Sequence, residues 1–219
     1  MAKEYTKRFT ICIFGLILFG FGNFLGAKAG AAGTNAWNTL ALGLAGQTGM
    51  TYGNGIFIIS LVIIVIDIIG KGKMGFGTIL NATLIAIFSD WFAVLCPFIP
   101  DAPNVVVGAI YTLLGQTILS FATIVYMKPA LGCGPRDTLM VIIGRKFPKA
   151  PIGVVKFGIE IGALIAGILL GAPFGIGTLL VMVLQASIFQ FACKVTKYEP
   201  RAITHEDIFD TLKRMFGKA

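Results

Sequence analysis

Nearly every signature of a hydrolytic, metal-dependent or nucleotide-using enzyme is missing from this chain. Its one histidine, His205, lies close to the C-terminus. There is no Gly-x-Ser-x-Gly, no His-Glu-x-x-His and no phosphate-binding loop to supply a nucleophile, a zinc site or a phosphate cradle. The four cysteines, Cys12, Cys96, Cys133 and Cys193, show no metal-ligand spacing and read as free thiols. The expectation is therefore a protein without enzymatic activity, cofactor or metal. Charge is scarce too: 13% of the 219 residues are Asp, Glu, Lys or Arg, against 56% hydrophobic residues and a mean hydropathy of +0.86. So much apolar surface cannot be hidden inside a domain of this length, which excludes an ordinary soluble fold.

What is present is built for a bilayer. Apolar runs fall at 9–27, 55–70, 76–98, 105–127, 152–170 and 175–193, each close to the roughly 20 residues that cross a hydrocarbon core. Lys3, Lys7 and Arg8 precede the first run, Lys71 and Lys73 follow the second, and Lys128 ends the fourth. Lys194, Lys197 and Arg201 follow the sixth, whereas 99–104 holds Asp101 and no base, and 171–174 holds no charge. The positive-inside rule then places both termini in the cytoplasm. The net charge of +8 is thus mostly topological, and the partner it implies is the lipid bilayer, not nucleic acid. The opening KEYTKR and first apolar run resemble a cleavable signal, but the internal repeat needs this segment, so it reads as retained.

That repeat is the most informative pattern. Residues 33–40, GTNAWNTL, return 99 positions later at 132–139 as GCGPRDTL. Gly75-Phe76-Gly77-Thr78 returns 100 positions later as Gly175-Ile176-Gly177-Thr178. Two stretches inside the copies, 35–46 and 135–146, are helix-like but about twelve residues long, roughly 18 Å, or half a membrane. Asn35 suits an N-cap and Pro135 the first helical position. Asn38 and Asp137 fall at the third position, where a side chain reaches back to free amides. Each half then reads as span, half-helix, span, span, so the second copy is inserted upside down. Only Lys28 lies near the first half-helix, whereas Arg145, Lys146 and Lys149 follow the second, as inversion requires. The chain divides into a first repeat, 1–102, an inverted second repeat, 103–193, and a cytoplasmic tail, 194–219. In the tail, Thr204 and Asp207 resemble a capping box. Ile208, Phe209, Leu212, Met215 and Phe216 share one helical face, and Lys213, Arg214 and Lys218 suit an anionic lipid surface.

Half-helices entering from opposite faces bring two positive N-termini together near the midplane. Arg136 stands at one and its repeat counterpart Trp37 at the other, with Asn35, Asn38 and Asp137 beside them. This set suits a small solute bearing a carboxylate or similar group, with a planar part to stack on Trp37. Plainer roles compete: Arg136 pairing with Asp137 or Glu160, and Trp37 as an interfacial anchor. Glu160 and Asp90 are acids within spans and candidates for proton or ion coupling, although Glu160 could pair with Lys156 one turn away. Asp67 reads as an interfacial pair with Lys71. Asn81, Gln116 and Gln185 read as interhelical hydrogen bonds. Gly22, Gly26 and Gly30, and likewise Gly158, Gly162 and Ala166, recur every four residues and predict close helix packing.

The elements Gly33-Thr34-Asn35-Ala36-Trp37-Asn38-Thr39-Leu40 and Gly132-Cys133-Gly134-Pro135-Arg136-Asp137-Thr138-Leu139 resemble those of the YczE/YitT-type family of bacterial membrane proteins, and the resemblance covers 9–193. Family members carry a glycine-rich Pro-Trp-Asp or Pro-Arg-Asp turn entering a short helix. Here Ala36-Trp37-Asn38 departs from that pattern in the first copy. The resemblance implies the fold and an inner-membrane location. Six spans with two half-helices also resemble aquaporin architecture, but the Asn-Pro-Ala signatures are absent. The resulting expectation is an all-α integral membrane protein with six transmembrane helices and two re-entrant half-helices in a 3+3 inverted repeat. Its expected function is transport of a small anionic or zwitterionic solute. A passive channel and a non-transporting accessory or scaffold subunit remain open alternatives, and a homo-oligomer is compatible with all three.

Overall fold

The computed structural model describes residues 2–199 and 203–216. Among them there is no strand. The helices are α1 (Ala2–Ala27), α2 (Ala36–Thr48), α3 (Tyr52–Ile69), α4 (Phe76–Leu95), α5 (Val105–Met127), α6 (Pro135–Lys146), α7 (Ile152–Leu169), α8 (Ile176–Thr196) and α9 (Ile208–Phe216), with a 3-10 turn at Gly30–Ala32. Six of these, α1, α3, α4, α5, α7 and α8, are long and apolar enough to cross a membrane. Arg201, Lys218 and the Phe216 side chain, assigned to the tail from sequence, lie outside the described residues.

Local chemistry sets the helix starts. Asn35, Thr51 and Asn104 each accept a hydrogen bond from the backbone amide three residues on, at 3.0, 3.2 and 3.0 Å. Pro135 occupies the first position of α6, where its missing N–H costs nothing. The Thr78 hydroxyl accepts from the Gly75 amide and donates to the Cys133 carbonyl 2.7 Å away, so the start of α4 is fastened to the segment leading into α6.

The bundle centres on α1 and α5, which pack along their length, with α4 against α1 and α8 against α5. Gly22 and Gly115 make the central crossing possible: a Cβ at Gly22 would meet the Gly115 carbonyl at 3.0 Å, and one at Gly115 the Gly22 carbonyl at 2.7 Å. The repeated glycines contact each other crosswise. Gly33 (φ +73°) lies against Gly175 and Thr178 at the start of α8, and Gly132 (φ +121°) lies against Gly75 and Thr78 at the start of α4. Both sit in the left-handed region that favours glycine, at points where a side chain would meet neighbouring backbone.

Several sequence expectations are corrected. A Cβ at Gly158 or Gly162 would find nothing within 4 Å, and one at Gly30 only the Ala102 carbonyl at 3.9 Å, so these three do not mediate close packing. The reason is that α7 leans on α2 and α6 and barely touches α8, leaving its glycine face uncovered. Asp67 does not pair with Lys71; it is fully buried, and neither carboxyl oxygen has a hydrogen-bond partner. In the tail, Asp207 is itself the cap of α9, accepting from the Asp210 amide at 2.7 Å, so the Thr204–Asp207 box does not form. Asn38 does not reach back over its helix start either, because Asn35 already holds the Asn38 amide and the Asn38 side chain points into the bundle without a partner.

Candidate functional site

Helices α2 and α6 approach each other head to head. The C-terminal part of α2 is tied to the end of α7, where Gln47 Nε2 donates to the Leu170 carbonyl at 2.9 Å. The later turns of α6 instead lie against the end of α3, with Ile142 filling the space beside Gly70. Between these anchors the two N-terminal turns meet. Arg136, the second residue of α6, places its guanidinium carbon 4.8 Å from the ring centre of Trp37, the second residue of α2. Both side chains are half-buried. Among the described residues Arg136 forms no ion pair, so neither Asp137 nor Glu160 neutralises it directly.

The surroundings are polar in a way the apolar composition hides. The Tyr52 hydroxyl at the start of α3 is buried without a partner, close enough to Arg136 to feel its charge. Asn38 and, from α1, Asn23 are each 1% exposed, and none of their four side-chain polar atoms is paired. Unpaired buried amides cost about 1–3 kcal/mol each. Gly26 makes room for this hollow: a Cβ there would meet Thr34 Oγ1 at 2.6 Å and Asn38 Nδ2 at 3.1 Å. Around Asp137 lie Cys133, Tyr126 and Asn81, the last two flanking Gly134.

The two acids proposed for coupling occupy different settings. Glu160 is buried, accepts from Gln185 Nε2 of α8 at 2.5 Å, and has Lys156 Nζ at a loose 3.9 Å. It lies within electrostatic reach of Arg136. Asp90 is instead engaged at the start of α3, accepting from the Thr51 hydroxyl at 2.5 Å and the Gly53 amide at 2.7 Å. Arg136, Trp37, Asn35, Asn38 and Asp137 therefore gather at the two helix heads, Glu160 borders them, and Asp90 caps a helix start. Among the described residues no group of three His, Cys, Asp or Glu side chains is arranged to hold a metal.

Comparison with known proteins agrees with a membrane protein. A family model described as a family of unknown function (DUF6198) matches residues 6–194. The "Uncharacterized membrane protein YczE" of Bacillus subtilis is 31% identical over 194 residues, 88% of either chain. The chain belongs to the YczE-type family. An "Uncharacterized protein" of Haemophilus influenzae is 33% identical over 185 residues, 84% of this chain and 83% of that one. No solved structure matches. The family match takes in both helix heads and all six long apolar helices but for the start of α1 and the last two residues of α8, so the chain is a multi-pass membrane protein whose two helix heads lie inside the family's shared region.

Sequence reasoning missed Tyr52 and Asn23 as neighbours of the site. Tyr52 directly follows the N-capping Thr51, and Asn23 sits in the small-residue stretch of α1. A polar residue three positions before Gly26 was the available signal, since both then face the same neighbour.

Proposed function

We propose that the protein transports a small anionic or zwitterionic solute, bound between two inverted repeats where two re-entrant half-helices meet. Arg136 carries the reading: a guanidinium stacked on Trp37 at 4.8 Å, with no ion pair among the described residues. A cation at the centre of a membrane helix costs about 2.5–3.5 kcal/mol or more. A cation–π contact returns only about 0.5–2 kcal/mol. An incoming carboxylate offsets the difference, while Trp37 presents a face to a planar group. Asp137, beside it, receives an ammonium if the solute carries one, and Asn35 and Asn38 line the opposing head. The crosswise contacts of Gly33 with α8 and Gly132 with α4 support a two-fold relation between the halves, because they exchange when the halves exchange, and the charge contrast around the two half-helices favours inversion. Both termini then lie in the cytoplasm of a bacterial inner membrane, and the protein acts as a carrier without catalysis. Glu160, between the Lys156 charge and Gln185 of α8, is the residue that couples the cycle.

Uptake into proteoliposomes, measured over a panel of labelled small carboxylates and amino acids, tests the reading. Arg136→Ala reduces uptake to background while the protein still inserts and melts as the parent does. Unchanged uptake in that variant sinks the assignment. Glu160→Gln removes the dependence on a proton gradient; if it leaves downhill flux and pH response untouched, the protein is a passive pore.

A further inference from the structure

The tail does not trail away from the bundle. After α8, residues 203–208 run across the end of the molecule where α1 starts and are fastened at Ile203, Glu206 and Ile208. Ile203 packs with Ile124, Ala192 and Tyr198 between α5 and α8. The Glu206 amide donates to the Ala130 carbonyl at 2.9 Å, and the Ile208 amide donates to the Met74 carbonyl at 3.1 Å. The strap thus joins the segment entering α6 to the segment entering α4.

Glu206 is the lock. It is 8% exposed, yet its carboxylate accepts from Tyr5 Oη at 3.1 Å, Arg8 at 2.9 Å, Thr211 Oγ1 at 3.0 Å and Arg214 at 2.9 Å. Arg8 is itself held by the Pro129 carbonyl at 2.8 Å. Two guanidiniums and two hydroxyls on one buried carboxylate form a charge-assisted network, stronger than neutral hydrogen bonds. A surface helix that merely steadied the chain on lipid would not need it. The strap also has no free room beneath it. A Cβ at Gly75 would fall 2.5 Å from the Glu206 carbonyl and 2.8 Å from Gly132, the glycine that opens the α6 element. His205 sits at this point, partly buried, with Nδ1 lacking a partner and with the Asp137 charge within reach.

We propose that the C-terminal segment is part of the solute site: His205 forms its wall on the side of the termini, and the strap 203–208, locked by Glu206, is the gate that leaves when the site opens to that side. The proposal rests on Arg136 and Asp137 being a solute site, but its test does not need transport. Cys133, two residues before Pro135, is half-buried with Sγ 3.3 Å from Thr138 Oγ1, and follows Gly132, which packs on Gly75 beside the Glu206 carbonyl.

In a background with Cys12→Ala, Cys96→Ser and Cys193→Ser, Cys133 is the remaining thiol. A membrane-impermeant maleimide applied to the face bearing the termini labels it slowly. Glu206→Ala raises the labelling rate at least tenfold. Arg214→Ala and Thr211→Val, each removing one partner of Glu206, give smaller rises and cover the case in which Glu206→Ala fails to fold. Thr204→Ala, exposed on the same strap, leaves the rate unchanged. If the Glu206 partners can be removed with the tail demonstrably freed, by increased protease sensitivity of 203–208, and Cys133 labelling stays slow, the strap is not the gate. Faster labelling together with normal uptake in Arg136→Ala would instead keep the gate and discard the solute site.

Discussion

The two halves share a plan and differ where it matters. Helices α3 and α7, and likewise α4 and α8, begin 100 positions apart, and the chain turns at both Lys71 (φ +54°) and Gly171 (φ +82°) with a positive φ. In the first half α3 packs along α4, and Ser60 and Ile85 are buried at 4% exposure. In the second half their counterparts are Glu160 and Gln185. There α7 barely touches α8, and a side-chain hydrogen bond joins the two across the gap. Dispersion over a packed helix pair is cooperative and rigid, whereas a lone polar link is cheap to break. The α1–α5 centre with α3 and α4 is therefore the scaffold, and the gap between α7 and α8 is where movement costs least.

The largest effect comes from attacking what the halves have in common. Gly132→Ala forces a φ of +121° on a residue with a Cβ that would lie 2.8 Å from Gly75 Cα, and Gly33→Ala forces +73° with the Gly175 amide 2.9 Å away. Strain and overpacking together amount to about 2–5 kcal/mol. Both variants lose most of the yield and melt at lower temperature, to a similar extent. A large difference between them, measured by thermal unfolding in detergent, would deny that these contacts are equivalent.

Next comes making the second half like the first. Glu160→Ser with Gln185→Ile replaces the polar link by the first half's residues. Exchanging a buried polar pair for apolar packing is commonly neutral or stabilising by about 1–4 kcal/mol. The double variant melts at or above the parent temperature, shows slower backbone hydrogen exchange in α7 and α8, and loses solute-coupled proton movement. Faster exchange would show that the polar pair, and not its absence of packing, holds the helices.

This contrast also marks how much the sequence could disclose. The six spans, the Asn35 cap, Pro135 at the first position of α6 and the pairing of Trp37 with Arg136 were legible, because hydropathy, capping chemistry and an internal repeat are local or self-referential signals. The openness around Gly158 and Gly162 was not, since a small-residue stripe says that helices can approach, not that a partner is there. Asp67 was misplaced for a similar reason. Its spacing from Lys71 permits a pair, but the chain turns at Lys71 with φ +54°, which takes the lysine off the helix. The strap was invisible because its partners Tyr5, Arg8 and Ala130 lie far away in sequence.

The asymmetry of the helix heads gives an intermediate effect. Trp37→Ala removes the stack under Arg136 and leaves its charge. With a cation–π contact at about 0.5–2 kcal/mol, half-saturation for transport rises roughly 3- to 30-fold, while maximal rate changes little. Arg136→Ala, by contrast, removes transport, so the two heads differ in kind: one supplies charge and the other a surface. Equal losses at both positions would make them structural supports of a single packing unit.

The two ends of the molecule differ in their response to acid. Burial holds His205 below its ordinary value, against the pull of the Asp137 charge. For Glu206 burial acts upward, but the hydrogen bonds from Arg8 and Thr211, the Arg8 charge and Tyr5 outweigh it and leave the carboxyl below its usual value. Each group therefore takes up a proton more readily once the strap is released. Docking is complete above about pH 7, weakens as pH falls through the ordinary histidine range near 6.5, and weakens again through the carboxylate range near 4.3. A spin label at Thr204→Cys becomes more mobile over that interval, by a few-fold at most. A label on the opposite end, at Asp101→Cys, also loses its Lys28 ion pair and serves as the unlocked reference, with no comparable transition.

The smallest effect is the sharpest test of the difference between scaffold and moving part. Gly22 and Gly158 are both the first of a four-residue stripe, and sequence treats them alike. Gly22→Ala must displace Leu119 Cγ at 2.9 Å and the Gly115 carbonyl at 3.0 Å in the central crossing, at a cost of about 1–3 kcal/mol. Gly158→Ala meets nothing within 4 Å and gains roughly 0.5–1 kcal/mol of helix propensity. The first variant melts lower than the parent and the second melts at or slightly above it. If Gly158→Ala melts as low as Gly22→Ala, α7 is packed as tightly as α1, and the distinction between a rigid α1–α5 centre and a loosely held α7 fails at its simplest point.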